Sequence, residues 1–222
     1  MKRQKLFKYC LLQTTLALLF HTATVIAEED NKIELPDLDT LIAEADLVAV
    51  AQLDDTRYQY IRGFPSEGEA WLTALFVYKS TAEVSTIVVY DKGVKGSHCY
   101  FPDTDLWQEG NRFLVFLKHT ENLMYRGLTP VCYLPISVSN DNQYILRMPA
   151  DNVLIPEVLS QQIDEYKFLD AGSRIDATEL NRPERSELIA TYSMVDEGDT
   201  LVYTQGIHIT AVRKYIRARV SN

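Results

Sequence analysis

The chain has 222 residues, with 22 Lys and Arg against 31 Asp and Glu, a formal charge of −9, 46% hydrophobic and 24% charged residues. That balance excludes wholesale disorder, a collagen-like chain and a polytopic membrane protein. The length suits one domain, or one domain with a small appendage.

Residues 1–27 read as a secretory signal peptide: Lys2, Arg3, Lys5 and Lys8 form a positive start, and Leu11, Leu12, Leu16, Ala17, Leu18, Leu19 and Phe20 supply the apolar stretch. Cleavage is expected after Ala27. The rival reading is an uncleaved anchor, but Gln13, Thr14, Thr15 and His21 interrupt the run, which falls short of the ~20 apolar residues of a spanning helix. Cys10 precedes the apolar stretch, so a lipoprotein is not expected. The signal takes four of the 22 cations and no acid, so the mature chain has 18 basic and 31 acidic side chains, a formal −13. Such a surface repels phosphate backbones and anionic lipid, and neither nucleic acid nor a stable membrane insertion is expected. The expected location is periplasmic or secreted.

Two cysteines remain, Cys99 and Cys132. In an oxidising compartment they pair most simply as one disulfide. Closing that loop of about 33 residues stabilises by roughly 3.5–4 kcal/mol in the chain-entropy model. The alternative is a catalytic thiol. A Cys-ligated zinc site would need further ligands in C-x-x-C spacing, which the sequence lacks.

In chain order, residues 28–34 are polar. Asp37 can cap a short helix in which Leu38, Leu41, Ile42 and Ala45 recur at helical spacing. A strand follows, Leu47-Val48-Ala49-Val50-Ala51-Gln52-Leu53, apolar on both faces of its first half. Residues 54–69 read as a polar connection, with an optional strand extension through Tyr58 and Tyr60. Strands are then expected at residues 71–78, 85–90 and 112–118, the last the clearest central strand. A long loop holding Cys99 precedes it. Residues 133–138 and 144–148 form a pair across the turn Ser139-Asn140-Asp141-Asn142. Residues 156–168 read as helical through Leu159, Ile163 and Tyr166, 170–185 as charged loop, 200–207 as a strand, and 209–220 as an amphipathic helix. Short strands without alternating helices indicate a mainly β antiparallel barrel or sandwich.

The order Ala45-Asp46-Leu47-Val48, then Val77-Tyr78-Lys79-Ser80, then Glu109-Gly110-Asn111-Arg112-Phe113-Leu114-Val115-Phe116-Leu117 resembles the bacterial exported branch of the netrin-like family, relatives of the tissue inhibitors of metalloproteinases. The resemblance covers Leu38 to about Met148, with Ser80 where the family has glycine. It implies a five-stranded OB-like (TIMP/netrin-like) antiparallel barrel with flanking α-helices. It does not carry over the inhibitory mechanism, in which a free N-terminal Cys-x-Cys chelates the protease zinc: the mature chain would begin Glu28-Glu29-Asp30. The domain plan is then a signal peptide (1–27), a barrel domain with a short N-terminal helix (28–150) and a helix-strand-helix extension (151–222) packed on the barrel.

The mature chain holds only His98, His119 and His208, and neither H-E-x-x-H nor G-x-S-x-G nor a phosphate-cradling glycine loop. No catalytic residue, metal or cofactor is therefore expected. Asn140-Asp141-Asn142 lacks the spacing of a calcium loop and reads as a turn. Arg213, Lys214, Arg217 and Arg219 suit a helix C-terminus. All but Tyr9 of the 13 tyrosines lie in the mature chain. Tyr58, Tyr60, Phe64, Tyr100 and Trp107 are the candidate binding surface, because aromatic side chains near barrel loops offer contact area at low entropic cost. The other reading of each tyrosine is barrel packing. The functional expectation is an exported, non-enzymatic module that engages another extracytoplasmic protein, with protease regulation as a subtype. The alternatives are a barrel binding a small molecule or glycan, and an enzyme of unrecognised type.

Overall fold

The computed structural model describes residues 35–93, 99–102, 111–120 and 124–221. The signal-peptide reading, residues 28–34, His98 and Trp107 fall outside that set.

Helix α1 (Leu38–Glu44) begins where the Asp37 carboxylate accepts the Thr40 N–H at 2.6 Å, and it buries Leu38, Leu41 and Ile42. Strands β1 (Leu47–Ile61) and β2 (Phe64–Lys79) form one long hairpin. β3 (Thr86–Lys92), β4 (Arg112–His119) and β5 (Tyr125–Gly127) follow. These five close into an OB-like barrel in the order β1-β2-β3-β5-β4, with β4 returning to β1. The expected barrel is antiparallel, but the observed one is mixed: β3 and β5 run parallel, paired at Val89 and Tyr125. A closed ring of five strands cannot reverse direction at every seam, so one parallel seam is obligatory.

Alternation along β1 sorts its side chains. Leu47, Ala49, Ala51 and Leu53 fill the barrel with Leu72, Ile87, Phe113, Val115 and Leu117. Val48, Val50, Leu114 and Phe116 point outward and are buried again under α1 and the C-terminal helix. This is why β1 and β4 are apolar on both faces. The Lys79 ammonium, at the end of β2, donates to the carbonyls of Ile42 and Ala43 at 2.9 and 3.0 Å, satisfying the α1 C-terminus.

The rest of the chain extends the sheet. β6 (Tyr133–Val138) pairs with the first half of β4, and β7 (Tyr144–Met148) pairs with β6. Then come α2 (Glu157–Ser160), β8 (Ile163–Glu165), a 3₁₀ turn (Ala171–Ser173), β9 (Arg174–Asp176), α3 (Arg182–Tyr192), β10 (Met194–Asp196), β11 (Thr200–Tyr203), β12 (Gln205–His208) and α4 (Ile209–Val220). β12 pairs with β7 and β8, while β10, β11 and β9 make a separate small sheet. α4 lays Val212, Tyr215 and Ile216 into the outer core.

Four sequence expectations are corrected here. Residues 54–69 are not a polar connection: β1 does extend through Tyr58 and Tyr60, and the whole stretch forms the paired arms of the β1–β2 hairpin, turned at Arg62 and Gly63, both at positive φ (53° and 84°), as a type I′ two-residue turn requires. Residues 156–168 are not one helix, because after a single turn the chain joins β12 as an edge strand. Residues 170–185 hold β9 and the start of α3, which is capped reciprocally by Asn181 and Glu184. The strand expected at 200–207 is two, split between two sheets.

Candidate binding surface at the barrel mouth

The sequence candidates separate into two groups. Tyr58 and Tyr100 belong to an aromatic plug. The Tyr58 hydroxyl accepts the Phe101 N–H at 3.1 Å, and its ring meets Tyr100 edge-on at 5.0 Å. The Tyr100 hydroxyl donates to the Gly93 carbonyl at 3.0 Å. Phe101 stacks on Tyr133 at 4.8 Å, and both meet Phe113 edge-on. Burial raises the Tyr58 and Tyr133 pKa values above that of a free phenol. These hydroxyls and rings are therefore engaged within the fold.

The Cys99–Cys132 disulfide lies behind the plug. Both sulfurs are spent in it, so neither cysteine is a free nucleophile. The Asp91 carboxylate accepts the Cys99 N–H at 2.6 Å and steers the Cys99 segment back to β3.

Tyr60 and Phe64 sit elsewhere, at the tip of the β1–β2 hairpin. β1 is paired with β4 only from Leu47 to Gln52, and β3 covers β2 only from Glu67 to Thr73. Beyond those limits, among the described residues, the strand ladder continues only between these two, with single backbone bonds running from Leu53 to Asn111, from Gly93 to Ser66 and from Ala74 to Ser85. The tip carries Tyr60, 50% exposed, Ile61, 54%, and Phe64, 65%. Ile61 lies directly opposite Phe64, so the two share one face. Sequence reasoning missed Ile61; the signal was an isoleucine beside a glycine turn with an aromatic residue facing it. Lower on the hairpin, Arg57 covers the Trp71 ring at 4.4 Å and bonds Asp55 at 3.2 Å.

Among the described residues, the two histidines, His119 and His208, do not converge on a reactive group. The His119 ring packs on the Tyr125 ring at 4.4 Å, and the His119 backbone N–H donates to the Asp46 carboxylate at 2.9 Å. His208 caps α4, its Nδ1 accepting the Thr210 N–H at 3.1 Å. No cluster of three or more His, Cys, Asp or Glu side chains is placed to hold a metal among the described residues. A second polar centre joins the barrel to the C-terminal region. Arg112 faces Asp170 at 3.8 Å, Asp170 accepts the Val138 N–H, and Arg147 donates to the Gly172 carbonyl at 2.6 Å while covering Tyr203. Burial raises the Asp170 pKa and lowers that of Arg147. These contacts tie β4, β6 and β7 to the 3₁₀ turn.

No family model, curated protein or solved structure matches this chain. The case for function therefore rests on the residues and their geometry. Two coarse facts bear on location: the chain holds a disulfide, and no helix among the described residues is long and apolar enough to cross a membrane.

Proposed function

We propose that this protein is an exported, non-enzymatic binding module that engages another extracytoplasmic protein through the tip of its β1–β2 hairpin. One observation carries the reading: Ile61 and Phe64 stand exposed side by side on one face of the hairpin tip, with Tyr60 exposed on the other face of the same two-stranded arm. Water disfavours such a cluster, and aromatic side chains on ordered backbone make strong anchors because little entropy is lost when they are covered. The barrel interior is filled by side chains, which leaves recognition to the loops and arms around it. Export rests on the signal-like start and the disulfide. The netrin-like likeness belongs to the same proposal, supported by its sequence motifs and by the barrel; zinc chelation by an N-terminal cysteine is no part of it.

The test is affinity capture from the extracytoplasmic extract of the source, with the oxidised protein as one bait and a Tyr60→Ser, Ile61→Ser, Phe64→Ser variant as the other. A protein retained by the first and lost from the second, with the two baits melting alike, supports the reading. Equal retention, or none on either bait, contradicts it.

A further inference from the structure

Outside the hairpin, the barrel wall carries a second feature. β3 and β5 meet at a single residue pair, so the wall opens along this seam into a cleft of about 500 Å³. Lys92, Lys118 and Arg126 line it, in a chain whose acids outnumber its bases 31 to 22. Lys118 and Arg126 stand directly opposite each other on antiparallel β4 and β5. Leu117 points into the barrel, so Lys118 points out, and its cross-strand partner shares that face. Two cations held so close repel. Among the described residues no carboxylate lies within ion-pair distance of either. Lys92 is held at the rim by Glu67 at 3.4 Å. Two acids also line the cleft. Asp91 is committed to the backbone N–H groups of Lys92 and Cys99, and Glu44 sits exposed at the end of α1.

We propose that this cleft binds a tetrahedral oxyanion, phosphate or sulfate, clasped between Lys118 and Arg126 with Lys92 at the rim. A dianion matches two facing cations better than a single carboxylate does, and the guanidinium of Arg126 offers parallel donors to two of its oxygens. A bound anion turns the Lys118–Arg126 repulsion into two attractions. The site is independent of the hairpin contact. Its ligand is either the free anion or the same group on a small molecule, for which the cleft has room.

The experiment titrates the full protein with inorganic phosphate and with sodium chloride at matched ionic strength, following the melting midpoint and the heat of binding. Phosphate is expected to raise the midpoint by a few degrees beyond chloride. Lys118→Gln and Arg126→Gln each weaken phosphate binding about tenfold or more. In low salt without phosphate, each variant melts at or above the wild type, because the repulsion is gone; a merely structural role for either cation predicts the opposite. Lys214→Gln, on α4, binds phosphate as the wild type does. A phosphomonoester bound more tightly than phosphate identifies a larger ligand, and one bound more weakly identifies the free anion; either ranking requires the site. Equal effects of phosphate and chloride, or wild-type phosphate binding by the Lys118 and Arg126 variants, would overturn the proposal.

Discussion

A Cβ atom placed on Gly127 falls 2.2 Å from the Cβ of Cys99, and 2.5 Å from that of Cys132. The last residue of β5 therefore passes over the disulfide with no room for a methyl group. Both cysteine Cβ atoms are fixed by the crosslink, so the strand itself would have to move, and β5 is the strand that closes the barrel. Gly127→Ala is expected to cost about 3 kcal/mol, at the upper end for an overpacked core. Urea denaturation measures this. A cost below about 1 kcal/mol would show that β5 is not held against the disulfide.

The disulfide joins residues 33 apart in sequence. Replacing both cysteines, as Cys99→Ala with Cys132→Ala, is expected to lower stability by roughly 3.5–4 kcal/mol if restriction of the unfolded chain dominates. The same protein compared oxidised and reduced in chemical denaturation should show a loss of that size. Gly127→Ala should cost less in the double-alanine background, since the two Cβ atoms are then free to separate.

α4 is fastened to α1 by a polar contact at the edge of the outer core. The Tyr215 hydroxyl donates to Asp39 at 2.6 Å, and Arg219 bonds the same carboxylate while lying over the Tyr215 ring. Tyr215→Phe keeps the ring and removes the donor, and should cost about 1 kcal/mol. Ile216→Ala, fully buried a position further on, should cost about 2–5 kcal/mol. Reversal of that order would mean that α4 is held by its polar edge and not by its apolar face.

Alkaline pH tests the burial of Tyr78. Burial pushes its hydroxyl up to about 12 from the ordinary 10, with Arg213 and Arg217 pulling the other way. The folded protein keeps this proton where the unfolded chain has lost it. The contribution to stability is thus complete below pH 10 and is lost as pH rises toward 12. Tyr78→Phe should flatten the fall in stability over that window by about 1.4 kcal/mol per pH unit, the weight of one proton. An unchanged slope would place the Tyr78 hydroxyl in water.

The parts of the fold legible in sequence are those where burial left a periodic record. Val48 and Val50 beside Ala49 and Ala51 mark a strand covered twice, and Val212 with Ile216 mark the packed face of α4. The Val77-Tyr78-Lys79 strand end has its reason in the cap that Lys79 puts on α1. What escaped lacks such a record. β5 is three residues, Tyr125-Arg126-Gly127, and its glycine is dictated by a disulfide remote in sequence. Leu159, Ile163 and Tyr166 have helical spacing, yet sheet pairing with β12 takes the chain from Ile163 onward. α3 buries none of its residues, so periodicity could not reveal it; its Asn181–Glu184 capping box could. Of the candidate surface, residue type pointed to Tyr58, Tyr60, Phe64 and Tyr100 alike. Hairpin register puts Tyr60 and Phe64 at the tip, while the contacts of Tyr58 with Phe101 and of Tyr100 with Gly93 hold the other two in the plug.

The most direct measurement is site-specific photo-crosslinking in the living source, with a photoreactive amino acid in place of Phe64 and, as control, in place of Glu187 on the exposed α3. Binding through the hairpin tip predicts a discrete crosslinked species of this chain and one other protein from position 64, and none from position 187. Crosslinks at 187 and not at 64, or none at either position, would contradict it.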